Sequence, residues 1–439
     1  MSLSLRVTKK QGILLCYSAL TLLVMSFCQL VNNYEATKYV FAFCVITVYL
    51  MCIPKDLMNP KNVVFFFYLV WYVLAPIFGS RFSTDRVASY ATEAIQGFLM
   101  CYVVYLTAML TLELLSIDAN KVRSSTNNRR TQSVASKVVT LLLLFVGLYF
   151  FVQHTGGLSL WINDAYTAQF SKRGSGQYFL LYSMSFVVFA FFIGQESNKR
   201  KLLINRILIL SFLMLNYKIL GSKLTVITIL MLIFADILMQ ANLISKWTVL
   251  LAVSGVVVFI SGLVIRLGSL DFALSYSLNY FDTFENFGKL LQDYSSGLFV
   301  TFFMPFLWPF IKLGLSNQEF YDINVWLTAQ YTPDTWYAGQ GTNQWNIETD
   351  MYLNYHFWGG IPLVILYFAI IAFLYNKAKS VGGVWKFIYI YEATLILSHL
   401  RGGLFIFWYW YLIPLYAWLI FKYAPDAKIK MKSAREEVA

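Results

Sequence analysis

The sequence predicts an all-α polytopic membrane protein, and three observations carry that prediction. Of its 439 residues, 59% are hydrophobic and 13% charged, against about 25% charged in a soluble domain. Apolar runs long enough for a helix to cross a bilayer, near 20 residues, recur from end to end. Lys and Arg gather in alternate connecting segments, the bias of cytoplasmic loops. About twelve transmembrane helices are expected, in one integral membrane domain over residues 1–439.

The expected spans are 11–32, 38–53, 62–79, 93–115, 137–153, 177–194, 203–219, 222–239, 247–265, 355–376, 387–400 and 403–422. With both termini cytoplasmic, the inner segments hold 23 of the 34 Lys and Arg. The reverse orientation would put the positive excess outside. The net charge of +12 is thereby accounted for by topology and does not call for nucleic acid. The first apolar run is too long for a signal peptide and lacks a cleavage site, so it reads as a retained span. Cys16, Cys28, Cys44, Cys52 and Cys101 all lie in or beside the first four spans. Their placement implies no disulfide framework outside the membrane, and no metal-type Cys/His cluster appears.

Two outer segments stand out. One is 154–176; the other, 266–354, is the longest connection in the chain and is acidic and rich in aromatic residues. Long loops in compact proteins are functional or disordered, and this one is too aromatic for disorder. Interfacial helices on the outer leaflet are expected in it. Within it, "GLFVTFFMPFLWPFI" (297–311) is short and interrupted by Pro305 and Pro309. That pattern suits a re-entrant or interfacial piece better than a full span. The segment 116–137 and the basic tail read as topogenic, the tail lying at anionic headgroups.

Four cations lie at outer mouths, where the positive-inside rule disfavours them: Arg173, Lys223, Arg266 and Arg401. Singly, each could snorkel to headgroups. Together, three of them beside glycines, they suggest a bound anion. Arg holds phosphate bidentately, Lys is a point charge, and glycine lets backbone approach a ligand. A lipid diphosphate would fit. Glu348 and Asp350 stand at the end of the long loop. Thr349 or Asp350 could cap the tenth helix, or one of the two carboxylates could act as a general base. His356 is a third candidate. Glu392 lies within span eleven, with His399 on the same helical face. Intramembrane carboxylates are functional candidates or structural ion pairs. The aromatic residues and carboxylates of the long loop could form a sugar site or an interfacial belt.

The absences narrow the class. There is no P-loop, no H-E-x-x-H and no G-x-S-x-G, and no internal repeat of the kind that marks secondary transporters. A reaction at the outer face without a nucleotide module needs a donor that is already activated.

At "LDFALSYSLNYFDTFENFGKLLQDYSSG" (270–297) the chain resembles the bacterial oligosaccharide repeat-unit polymerases of the O-antigen type, most nearly the branch that builds enterobacterial common antigen. The similar features include Asp282-Thr283-Phe284, Glu285-Asn286, "FFMPFLWPF", "GSKLTVITILMLIF", "VIRLGS", "ETDMYLNYHFWGGIPLVILYF" and "LSHLRGG". The resemblance runs in order over about 165–405. It implies a GT-C-like architecture in the bacterial inner membrane, with the active site on the periplasmic face. The implied donor and acceptor are undecaprenyl diphosphate-linked oligosaccharides, and the growing glycan passes to the terminal sugar of an incoming unit. Membrane lipids and a chain-length regulator protein are the implied partners. Asp350 or Glu348 is expected as base. Arg266, Arg173, Lys223 and Arg401 are expected at the diphosphate, and Glu285, Trp308, Trp345 and His356 at the sugar. The scheme needs no metal and no cofactor. An O-antigen ligase or a flippase for the same lipid-linked oligosaccharides is the alternative reading.

Overall fold

The computed structural model describes residues 8–79, 82–116, 134–164, 167–168, 175–196, 198–220, 223–277, 280–281, 283–312, 315–337, 343–403 and 413–419. These residues are mostly helices and short turns, and Leu298 and Tyr355 form an isolated antiparallel bridge. Nine of the described helices are long and apolar enough to cross a membrane. They are Lys9–Val31, Tyr34–Met51, Pro60–Phe78, Asp85–Leu115, Ser136–His154, Gly176–Gly194, Lys199–Leu220, Lys246–Ile265 and Trp358–Ser380. They match expected spans one to seven, nine and ten, and the protein is an all-α polytopic membrane protein.

The other three expected spans differ. Span eight is two pieces, Lys223–Ile233 and Ala235–Gln240, broken at Phe234. Span eleven is the 17-residue helix Val384–Leu400. Span twelve and the segment 116–137 fall largely outside the described residues, as does the tail.

The chain groups into two compact units. The first comprises 1–117, 275–373 and 395–407; the second comprises 118–274, 374–394 and 408–439. In the first, four spanning helices are joined by hydrogen bonds through an apolar interior. Tyr102 donates to Thr21 Oγ1 at 2.6 Å, Tyr105 to the Val45 carbonyl at 2.9 Å, and Tyr17 to Thr47 Oγ1 at 2.8 Å. Buried hydroxyls are costly unless bonded, so these pairs fix how the helices register. Glu113 is neutralised by Lys61, with Lys10 at 3.7 Å.

The long loop folds onto these four helices. Helix Thr283–Asp293 buries Phe284, Phe287, Leu290 and Leu291, one face at helical spacing. Gly97 of the fourth span meets the Phe284 ring, so the two helices approach closely. Further short helices follow at Met304–Lys312, Ile323–Tyr331, Pro333–Tyr337 and Ile347–Tyr355.

In the second unit, Gly147 and Gly194 allow close crossings. A Cβ at Gly147 would meet the Tyr182 backbone at 2.6 Å, and one at Gly194 the Ile233 carbonyl at 2.9 Å. Asp236 pairs with Lys386, and Lys137 with Glu196 at 3.2 Å.

Candidate functional site

The stretch that carries Glu348 and Asp350 is a short helix of its own, Ile347–Tyr355, which we call the site helix. The expectation that Thr349 or Asp350 caps the tenth span is corrected: Asn346 caps the site helix, its side chain accepting from Thr349 N at 3.0 Å. Both carboxylates lie in the first turn, where the helix dipole favours negative charge. The tenth span starts later, at Trp358.

Side chains from the neighbouring loop helices guide the chain into this helix. Asn343 N donates to Thr328 Oγ1 at 2.9 Å, Trp345 N to Asn324 Oδ1 at 3.1 Å, and Asn286 Nδ2 to the Gln344 carbonyl at 2.9 Å. Beyond the helix, His356 and Phe357 take φ of 47° and 61°, unusual for residues with side chains. Such strain costs of order 1–3 kcal/mol per residue. It is held by His356 N donating to the Gly297 carbonyl at 2.9 Å and Phe357 N to the Met351 carbonyl at 2.8 Å. Gly360 completes the reversal, because a Cβ there would meet Met351 Cγ at 2.6 Å.

Glu348 lies deep among the spanning helices, not at their mouth as expected. It is fully buried. Tyr68 Oη donates to Oε1 at 2.8 Å and Tyr72 Oη to Oε2 at 3.2 Å. Tyr68 is eight residues into the third span, roughly 12 Å from its start at 1.5 Å per residue. Burial pushes the Glu348 carboxyl up to about 7, with the Tyr68 and Tyr72 hydroxyls opposing. The third span winds as a π-helix over Leu69–Leu74, beside these donors. Single-turn π segments recur at functional sites.

Asp350 faces elsewhere. With Thr301, Phe302, Pro305, Ile323, Tyr355 and Gly402 it lines a small cleft. Asn354 Nδ2 donates to Asp350 Oδ1 at 2.6 Å and to Thr301 Oγ1 at 2.8 Å, while Thr301 N donates to Asn354 Oδ1 at 2.7 Å. Gly403, at φ 103°, presses on the carboxylate: a Cβ there would lie 2.9 Å from Asp350 Oδ2. His399 holds that turn, its Nδ1 at 3.2 Å from the Gly403 carbonyl and its own carbonyl accepting from Gly403 N at 2.9 Å. Asn324 Nδ2 donates to the Gly402 carbonyl at 3.4 Å. The segments "FFMPFLWPF", "ETDMYLNYHFWGG" and "LRGG" therefore meet at one cleft.

Arg401 opens the glycine turn and is partly exposed. Lys223 belongs to the second unit, where its stem lies on Gly262 and its ammonium sits 4.8 Å from the Phe259 ring centroid. Arg173 and Asp282 lie outside the described residues, and the side chains of Arg266 and Trp308 are likewise not described. Glu285 pairs with Lys289 at 2.6 Å. Trp345 is buried, its ring centroid 5.1 Å from that of Tyr331. His356 is exposed, with Nδ1 3.3 Å from Ser296 Oγ. Glu392 is buried in the second unit.

Sequence reasoning missed Tyr68, Tyr72, Thr301, Asn324, Asn354 and Gly403. The two tyrosines carry a readable signal: two hydroxyls four residues apart in an apolar run share a helix face. The two asparagines give only the weaker hint of an amide in a short helix.

No family model, no curated protein and no solved structure matches the chain.

Proposed function

We propose that this protein is a polymerase of lipid diphosphate-linked oligosaccharide repeat units. The observation that carries the reading is the cleft at Asp350, where three segments distant in sequence converge on one buried carboxylate. All three are segments in which the chain resembles the O-antigen polymerases. A polytopic membrane protein with a long loop folded onto its spans suits a substrate held by its lipid in one leaflet.

Asp350 is the general base in this reading. It takes the proton of an acceptor hydroxyl as that oxygen bonds to the anomeric carbon of the donor. The bond from that carbon to the diphosphate breaks, and the lipid diphosphate leaves with the electron pair. The leaving group is a stable anion and needs positive charge rather than an acid. In this reading Arg401, two residues from the glycine that touches Asp350, is the candidate to supply it. Glu348, sealed beneath two tyrosines, acts as the anchor of the site helix. Confinement of both substrates to one leaflet supplies proximity. GT-C-like architecture, periplasmic orientation and a chain-length regulator as partner belong to the same proposal.

The test is a glycan ladder from cells that lack the gene and carry it back on a plasmid. Wild-type chain restores long polymer. Asp350→Asn, at normal protein level, leaves single repeat units, since loss of a general base costs about 10²–10⁴ in rate. Loss of all surface glycan on deletion would indicate a ligase or flippase, and an unchanged ladder would reject the reading.

A further inference from the structure

Tyr355 closes the site helix and lines the same cleft as Asp350. Its ring is nine-tenths buried, with Phe299 and Phe302 edge-on at 6.4 and 6.0 Å. Its hydroxyl is buried and has no hydrogen-bond partner among the described residues. A buried hydroxyl left unbonded costs about 1–3 kcal/mol. Buried phenols normally find a partner; Tyr34, Tyr90 and Tyr182 also carry unbonded hydroxyls among the described residues, but Tyr355 lines a cleft, and there the hydroxyl points to a group that arrives from outside. Opposite it stands Asp350, 7% exposed, which can accept. The remaining walls, Phe302, Pro305 and Ile323, are apolar.

The two polar groups are complementary. Burial, with the Asp350 carboxylate close by, raises the Tyr355 phenol above its ordinary value, so it remains a donor at physiological pH. A carboxylate accepts only. A hydroxyl group can accept from one and donate to the other, and a sugar carries many. The cleft is narrow, with room for about one water-sized group. It admits a single hydroxyl, while the ring that bears it stays against the apolar rim.

We propose that this cleft is a hydroxyl pocket, in which Tyr355 donates to, and Asp350 accepts from, one ring hydroxyl of a sugar. Its assignment to the acceptor sugar rests on the polymerase reading; the capacity to bind a sugar hydroxyl does not. Tyr355 then selects which hydroxyl is presented to the base, and so sets the linkage. The contact also orients the oxygen, leaving its lone pair toward the anomeric carbon.

The experiment places 3-fluorotyrosine at position 355 of the full chain in nanodiscs and follows its fluorine resonance. The probes are the methyl glycosides of glucose, galactose and N-acetylglucosamine, with permethylated glucoside as control. A saturable shift is expected with at least one glycoside, absent with the permethylated control and absent in Asp350→Ala. No saturable shift with any glycoside, or an equal shift with the control, overturns the proposal. Tyr355→Phe should keep or raise its melting temperature, because the lost hydroxyl has no hydrogen-bond partner among the described residues, and in the polymer assay should raise acceptor KM about tenfold, the scale of one hydrogen bond. An unchanged KM also overturns it. Glycoside binding by a chain that makes no polymer would leave the pocket standing and remove the polymerase reading.

Discussion

At the scale of single residues, two carboxylates in one helical turn have been given opposite surroundings. Glu348 faces two tyrosine hydroxyls in a dry interior, whereas Asp350 faces an amide, a glycine turn and a cleft. Burial raises the Glu348 carboxyl from near 4.5 to about 7. Between those values the folded chain holds this proton more tightly than the unfolded chain, so the contribution of Glu348 to stability falls as pH rises from about 4.5 to about 7 and is level above. Glu348→Gln should reduce that dependence, leaving the part that the buried Asp322 carboxyl, raised to about 7, contributes. A melting-temperature series from pH 4 to pH 8 in detergent checks it, and a wild-type slope retained in the variant would refute the burial argument. Gly403 makes a second residue-scale case. Alanine there must strain the backbone and push Asp350 by tenths of an ångström or more. Displacements near 1 Å at a reacting group cost about 10²-fold. Gly403→Ala should therefore lose polymer while keeping protein level, as read on the same ladder.

At the scale of elements, the site helix is held from both ends and from one side. Asn346 caps it, and the turn at His356 and Phe357 stops it. The strand-like segment 297–301 straps it through Gly297 N to the Tyr352 carbonyl at 3.0 Å and Phe299 N to the Asn354 carbonyl at 3.0 Å. Asn354 joins the strap to the site helix by bonding both Thr301 and Asp350. Asn354→Ala removes its hydrogen bonds to Thr301 N, Thr301 Oγ1 and Asp350 Oδ1, each worth about 0.5–1.5 kcal/mol. Its melting temperature should drop by several degrees and its polymer should shorten. Differential scanning fluorimetry and the ladder separate the two effects. The sequence made the existence of these loop helices legible through aromatic content and broken apolar runs. It did not reveal that one of them dips among the spanning helices. A nine-residue helix with polar residues around its surface carries no periodic stripe, because its partners are a mixture of tyrosines, amides and glycine backbone.

At the scale of the whole molecule, hydropathy alone made most of the architecture readable, because spanning helices must satisfy their backbone internally and show apolar faces to lipid. Nine of the described helices follow the expected spans, eight of them within a few residues and the fourth starting eight residues early, at Asp85. The eighth and eleventh are shorter, each carrying a charge, Asp236 and Lys386, that pairs with the other. Long-range pairing of this kind has no local signature. The same holds for the site. Asp350, Arg401 and the Pro305 segment could each be singled out by type and place, but their convergence depends on Asn324, Asn354 and Gly403, which look ordinary in sequence.

The most direct measurement uses the purified full chain in nanodiscs with one lipid diphosphate-linked oligosaccharide as both donor and acceptor. Polymerase chemistry predicts chain extension with release of one free lipid diphosphate per linkage formed, both lost in Asp350→Asn. Extension that persists in that variant, or wild-type protein that binds the lipid and releases no diphosphate, would contradict it.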